Sequence, residues 1–360
     1  MKFLKYIWLF VIALAFGCDE SYIDDITPVE AGPDTENPVV SIGFPVDGTQ
    51  IRVVEDLTDI TVSFEVTDDV FLEEVTLQLD GNTFATLSNF KDYRRVVESI
   101  VYEDLTNGPH TLTITGVDGE GKTGSASVEF EKTEPYTAKY DGEIFYMPFD
   151  NEYLDLLTLT PATVVGSPGF TADAKVGTGA YQGAEGSYLT FPAAGLTNEE
   201  FSAVMWYKLN AEPNRAGIIV MGPEGEDAPP ATLNNGFKFF REAGGEDQRI
   251  KLNAGNGEGN NWFDGGEDAD LNPMVDTDWQ HLAFTISPDG NKVYINGNIV
   301  REGDFPGPGW EGVEIMSIMS GAPNFTHWNH NADLSQLDEL RIFNKALTQE
   351  EIQQIIDDEN

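Results

Sequence analysis

Residues 279–297 read WQHLAFTISPDGNKVYING. Two strand candidates lie in this stretch, QHLAFTIS (280–287) and KVYING (292–297). Both are rich in β-branched and aromatic residues. In the first, the aromatics alternate with small or polar residues, as a strand with a buried face requires. Asn296-Gly297 is the pair that suits a type I′ hairpin turn, where both central residues need positive φ. Trp279, and Trp206 in FSAVMWYKL, therefore read as core residues. His281, beside Trp279, reads as a structural histidine with its ring satisfied.

The same signal continues on both sides of this hairpin. EIFYMPF (143–149), SYLTFP (187–192), FSAVMWYKL (201–209), AGIIVMG (216–222), GFKFFRE (236–242), RIKLNA (249–254), VEIMSIM (313–319) and ELRIFN (339–344) are further strand candidates. Many strands of this length in one region predict a two-sheet jelly roll over residues 143–357. Helix evidence appears only at its end. Thr348 and Glu351 have capping-box spacing, and Ile352, Ile355 and Ile356 fall on one face of the segment that follows.

A second all-β region precedes it. VVSIGF (39–44), ITVSFEVTD (60–68), VTLQLDGNTFATL (75–87) and HTLTITGVDGEGKTGSASVEF (110–130) alternate with period two, and turn residues such as Asp80-Gly81 and Asp118-Gly119 interrupt them. This pattern predicts a small antiparallel sandwich over 38–132. Residues 133–142 are expected as an interdomain linker. Residues 18–37, acidic and with Pro28 and Pro33, are expected as a flexible tether.

The chain carries 62 acids against 20 bases, a formal net charge of −42. Such a surface repels nucleic acid and anionic membranes. The only cysteine, Cys18, follows Met-Lys-Phe-Leu-Lys and a short apolar run ending in Gly17. That run is too short to span a bilayer, which needs about 20 apolar residues. Residues 1–17 read as a cleaved secretory signal. A lone Cys cannot form an intramolecular disulfide, and its position points to lipidation.

Three resemblances sit on these residues. The N-terminus, with Asp19, Glu20, Asp24 and Asp25 following Cys18, resembles surface-exported lipoproteins of Bacteroidetes. That implies lipid anchoring through Cys18 at the outer membrane, exposed on the cell surface. Pro38, Val40, Ile42, Pro45, Gly48, Asp68-Asp69 and Val75 follow a pattern that resembles bacterial Ig-like modules, which usually act as spacers. Gly179-Ala180-Tyr181, Phe201-Ser202 with Trp206 and Lys208, 279–285 with 292–297, and Leu337 to Thr348 occur in an order similar to the laminin-G-like, concanavalin A-like jelly roll. The whole layout resembles surface glycan-binding proteins of Bacteroidetes polysaccharide-utilisation systems. The resemblance implies polysaccharide as ligand, with an outer-membrane importer and glycan-degrading enzymes as partners. A surface adhesion or structural protein, and a divergent polysaccharide lyase or glycoside hydrolase, are the alternative readings.

The laminin-G-like resemblance also implies a structural calcium. Asp150, after the first strand, and Asp338, in the last, would hold it with backbone oxygens near Gly177 and Gly179. Calcium takes 6–8 oxygen ligands, which suits such a set. Asp264 to Asp270 (DGGEDAD) lacks EF-hand spacing and reads as a solvated loop. No catalytic residues are expected. A Glu-x-Asp-x-(x)-Glu strand, as laminarinase-type jelly rolls use, is absent, and the mature chain has no Cys nucleophile. For glycan binding, three clusters combine aromatics with planar hydrogen-bonding groups. They are Asn260–Asp264 with Trp262 and Phe263, Pro308–Glu311 with Trp310, and Asn324–Asn331 with His327, Trp328 and His330. Each was expected on a surface loop.

Overall fold

The computed structural model describes residues 34–223 and 233–360. The signal at 1–17, Cys18 and the tether up to Pro33 lie outside the described residues. The chain divides between Thr133 and Glu134 into two compact units.

The first unit is a β-sandwich. Val39–Phe44, Thr58–Thr67 and Arg95–Leu105 form one sheet. Gln50–Arg52, Thr123–Thr133, Gly108–Asp118, Leu72–Leu79 and Asn82–Leu87, in that order, form the other. The period-two alternation sends Val62, Phe64 and Val66 from one sheet, and Val75, Leu77, Leu112 and Ile114 from the other, into a single core. Asp80 (φ 51°) and Gly81 (φ 78°) make the turn between two of these strands, the positive-φ pair that the sequence demanded.

The second unit stacks two eight-stranded sheets. One runs Gly169–Thr171, Ala180–Gln182, Gln336–Phe343, Phe201–Lys208, Gln280–Ile286, Asn291–Ile295, Asn298–Gly303, with Glu143–Met147 paired to Gln336–Phe343. The other runs Thr163–Val165, Tyr188–Pro192, Ile315–Ile318, Arg215–Met221, Phe237–Gly244, Asp247–Gly255, Asn260–Asp264. Their facing sides form the main core, with Phe145, Met205, Phe237, Phe239, Leu252 and Phe284 in it. The hairpin at 296–297 has φ of 51° and 75°, as expected.

Gln349–Asp358 is the expected helix, and its capping box is complete: Glu351 N donates to Thr348 Oγ1 (3.2 Å) and Thr348 N to Glu351 Oε2 (2.9 Å). Ile352, Ile355 and Ile356 pack on the outer face of the first-named sheet with Val204, Trp206 and Phe343. Trp206 is thus core, with its indole N–H donated to Glu359 Oε2 at 2.8 Å. Trp279 is partly buried against the same cluster. His281 departs from expectation in one respect. It is fully buried, but neither ring nitrogen has a partner, and burial pushes its pKa down to about 3.

Residues 134–142, expected as a linker, belong to the second unit. Tyr136 OH donates to Glu143 Oε2 (2.8 Å) and accepts from Arg341 Nη1 (3.0 Å). Arg341 lies buried among Glu143, Glu339 and Glu359, so the strand Glu143–Met147, the strand Gln336–Phe343 and the chain end converge on one guanidinium. Removing any one of these partners would leave buried charge uncompensated.

Candidate functional site

Successive strand residues point to opposite faces of a sheet. In Phe237–Gly244, Phe237 and Phe239 enter the main core, and Phe240 turns outward. Register extends this outward face. Phe240 is opposite Lys251, Lys251 opposite Asp264, and Asn253 opposite Trp262.

Segment 320–332 folds onto this face. Ala216 bridges Asn331, Ser320 bridges Ala332, and Gly321 N donates to His330 O at 2.8 Å. A Cβ at Gly217 would stand 2.1 Å from Gly321 N, so glycine is required for this close approach. Asp333 fixes the segment's end. Its Oδ1 is 2.8 Å from Arg241 Nη2, and its Oδ2 accepts from Tyr207 OH at 2.6 Å, with both ionic partners fully buried. Phe325 stacks on His330 (4.6 Å between ring centres) and packs on Phe240 (5.2 Å).

The product is a cleft of about 380 Å³ on the outer face of the sheet. Phe240, Trp262, Trp328 and His330 form its aromatic lining, and Arg215, Glu242, Lys251 and Asp264 its polar lining. Trp262 is 43% exposed, and its ring lies 5.9 Å from that of Trp328. Exposed His327 stands 5.4 Å from Trp328 on the rim.

Lys251 Nζ lies 2.7 Å from Glu242 Oε1 and 2.7 Å from Asp264 Oδ2. Glu242 is held down to about 2 by His330, whose Nε2 is 3.5 Å away, and by Lys251. Burial keeps His330 itself below its usual pKa, so the counter-charges that persist at neutral pH are Lys251, Arg215 at 3.9 Å from Glu242 and Arg249 at 3.8 Å from Asp264. For Asp264, burial pushes the carboxyl up, but Lys251 and the Gly266 N–H outweigh it and the net direction is down.

Two further residues expected as glycan contacts lie elsewhere. Asn260–Asp264 is a strand and not a loop, so Phe263 faces opposite to Trp262. It is buried in the main core against Phe305 and cannot reach a ligand. Trp310 is half-buried, packs on Phe201 and Phe237, and donates its indole N–H to Asn198 O at 2.8 Å. His330 does line the cleft but is 1% exposed, which makes it a wall and not a rim residue. The acidic stretch 264–270 is not merely a solvated loop. It contains a 3-10 turn, and Asp270 pairs with Arg249 at 2.6 Å. Glu242, Lys251 and Arg215 were missed by sequence reading. Their signal was period-two placement on strands next to Trp262, which needs the strand order to be known.

Asp150 and Asp338 both hold the 175–179 turn. Asp338 Oδ2 accepts from Lys175 N (2.8 Å) and Val176 N (3.1 Å). Asp150 Oδ1 accepts from Thr178 N (2.5 Å) and Gly179 N (3.0 Å). Gly177 has φ of +72°, and a Cβ there would fall 2.4 Å from Asp150 Oδ1. Burial pushes the Asp338 carboxyl up to about 8 against those N–H donors, the direction a nearby cation would reverse. The all-oxygen donor chemistry fits calcium.

Residues 38–114 match the bacterial Ig domain family, and residues 182–353 match the concanavalin A-like lectin/glucanases superfamily. No curated protein matches the chain. Among solved structures, the chain is similar to domain 4 of AbnA, a GH43 extracellular arabinanase from Geobacillus stearothermophilus, in complex with arabinotriose. That match has 22% identity and a TM-score of 0.45, and covers 59% of this chain and 97% of that one. It is also similar to the botulinum neurotoxin serotype D binding domain, at 18% identity and a TM-score of 0.41, covering 61% of this chain and 52% of that one. The binding domain of botulinum neurotoxin DC in complex with SialylT matches at 13% identity and a TM-score of 0.44, again over 61% of this chain and 52% of that one. The chain thus spans about half the length of these toxin domains.

Proposed function

For a chain that sets a bacterial Ig domain before a concanavalin A-like domain, we propose a non-catalytic glycan-binding role. The site is the cleft of the second unit. Trp262 and Trp328 are the platforms for the apolar faces of sugar rings, with His327 beside them. Glu242, Asp264, Lys251 and Arg215 supply hydrogen bonds to peripheral hydroxyls. The observation that carries this reading is the pairing of exposed Trp262 with half-buried Trp328, brought together from distant parts of the sequence. Trp262, 43% exposed beside a polar wall, contributes little to folding and suits a sugar.

In this reading, lipid on Cys18 anchors the protein at the outer membrane, facing outward. The Ig domain is a spacer, and the second unit holds polysaccharide for a neighbouring importer and degrading enzymes of a glycan-utilisation system. Calcium at Asp150 and Asp338 stiffens the 175–179 turn.

The electrostatics favour binding over hydrolysis. A glycosidase needs one carboxyl protonated near neutral pH as general acid. Glu242 and Asp264 share Lys251, and both lie below the usual carboxylate range, so neither can hold that proton.

The test is a polysaccharide panel scored for retention and for released products on the same glycans, using the wild type, Trp262→Ala and Trp328→Ala. Retention without products, lost in both variants, is the expected result. Unchanged retention in both variants would remove the cleft as the site, and released sugar would move the protein to the enzymes.

A further inference from the structure

The first unit holds a charged cluster that glycan binding does not use. Asp34 lies in the approach to the first strand. Asp68 follows the strand Thr58–Thr67, and Asp118 ends the strand Gly108–Asp118. These segments are far apart in sequence, yet one carboxylate oxygen from each lies within 4.8 Å of the others. The approach segment is pressed onto the unit, since a Cβ at Gly124 would overlap Pro38 O at 1.7 Å. The Asp34 side chain is 5% exposed and that of Asp118 is fully buried.

One cation faces three anions. Lys122 Nζ lies 2.6 Å from Asp34 Oδ1 and 2.7 Å from Asp118 Oδ2. Asp118 Oδ1 accepts from the backbone N–H groups of Glu120 and Lys122. Asp68 is different. Its Oδ1 accepts from Val70 N (2.9 Å) and Phe71 N (2.7 Å), but its Oδ2 has no hydrogen-bond partner among the described residues, in a residue only 8% exposed. A buried carboxylate oxygen without a donor is costly unless a cation meets it. The Lys122 side chain remains 28% exposed, so its ammonium can swing into water and yield its place.

We propose that Asp34, Asp68 and Asp118 bind a calcium ion. The ion sits between the three carboxylates, takes Asp68 Oδ2 as a ligand, and displaces Lys122 towards solvent. Carboxylate oxygens within this separation can each come to about 2.3–2.6 Å from one Ca²⁺, with water completing the shell. Two of three charges are then neutralised by the metal, where Lys122 alone neutralises one. The ion ties the segment that leads into the first strand to the ends of two strands from opposite sheets. This site is separate from the calcium proposed at Asp150 and Asp338.

The experiment titrates CaCl₂ into the chelator-treated full chain by calorimetry and counts equivalents. The wild type is compared with Asp34→Asn, Asp68→Asn, Lys122→Gln and Asp150→Asn. We expect Asp34→Asn and Asp68→Asn each to lose one equivalent or to weaken one site at least 10-fold, while Asp150→Asn keeps that equivalent. Lys122→Gln should retain or strengthen it. Should Asp68→Asn fail to fold, Asp34→Asn decides, because its carboxylate touches only Lys122 in this cluster. The same calcium uptake in Asp34→Asn as in the wild type, or no uptake in Asp150→Asn, overturns the proposal and leaves Lys122 as the cluster's own counter-ion.

Discussion

Trp310 and Trp262 both lie in glycine-rich stretches that read as loops, and the fold treats them in opposite ways. Trp310 closes one end of the main core, with its N–H bonded to Asn198 O. Trp262 stands on the outer face of a sheet edge strand, 43% exposed, with Trp328 as its neighbour. Glycine flanks both tryptophans. What differs is the layer beneath. Below Trp310 lie Phe201 and Phe237 of the main core, and below Trp262 lies Phe240, which has already turned away from it. A tryptophan's role is set by the layer it lands on: the end of the main core for Trp310, the outer face of the sheet for Trp262.

The largest effect should come from Asp333→Ala. It leaves Arg241 buried without its ionic partner, which costs about 3–5 kcal/mol. It also frees the end of the segment that carries Trp328. Both the melting temperature of the second unit and glycan retention should fall. Loss of stability with retention intact would show that Trp328 needs no anchoring from the core.

Trp310→Ala ranks next. Truncating a fully buried Trp costs about 3–5 kcal/mol, and this ring is half-buried, so about 2–3 kcal/mol is expected. At about 2–4 °C per kcal/mol for a unit of this size, the melt should drop by about 4–12 °C. Retention of glycan by the folded fraction should not change. Trp262→Ala reverses the pattern: melting shifts by less than about 1 kcal/mol, while affinity falls about tenfold or more, equivalent to about 1.4 kcal/mol. Trp328→Ala, which also removes packing on Phe325 and Phe240, should lower both melting and affinity. If Trp310→Ala weakened binding as much as Trp262→Ala does, the contrast between the two places would collapse.

Calcium offers a smaller effect in a different place. Chelation should lower the melting temperature of the wild type by a few degrees, as removal of any ligand selective for the native state does. For the part that arises in the second unit, Asp150→Asn should already have lost that increment.

Much of this molecule was legible in the sequence. The alternating strands, the Asn296-Gly297 and Asp80-Gly81 turns, and the Thr348/Glu351 capping box are local devices, and they appear where their residues demand them. The cleft was only half legible. Trp262 and Trp328 could be singled out one at a time, but their meeting depends on the sheet order that puts Asn260–Asp264 beside Asp247–Gly255 and on the Arg241–Asp333 pair. Phe263 was misread because Asn260–Asp264 looks like a polar loop. Once it is a strand, adjacent residues must face opposite ways. The linker at 133–142 was misread for a related reason: Tyr136 finds its partners, Glu143 and Arg341, through contacts that no local pattern announces.

The smallest expected effect is a flat pH profile, and it discriminates most sharply between binding and catalysis. A carboxylate whose folded pKa is depressed stabilises the folded state above its unfolded pKa, and that contribution fades as pH falls through the folded value. For Glu242 the window therefore runs from about 4.5 down to about 2. Asp264 is shifted in the same direction by the same lysine, so the Glu242–Lys251–Asp264 bridge stays fully charged from pH 8 to pH 5. His330 is held below its usual value by burial, so it is neutral at neutral pH. Glycan retention measured across pH 5–8 should change less than twofold. A bell-shaped profile would mean that a cleft carboxyl does carry a proton near neutrality, contrary to the charge arrangement around Lys251. Lys251→Met sharpens the test, because it removes the shared cation and leaves only Arg215, 3.9 Å from Glu242, and Arg249, 3.8 Å from Asp264, as counter-charges of the two carboxylates. Loss of a favourable cation moves both carboxyls up from their depressed values, so any pH dependence of retention seen in this variant and not in the wild type belongs to Glu242 or Asp264.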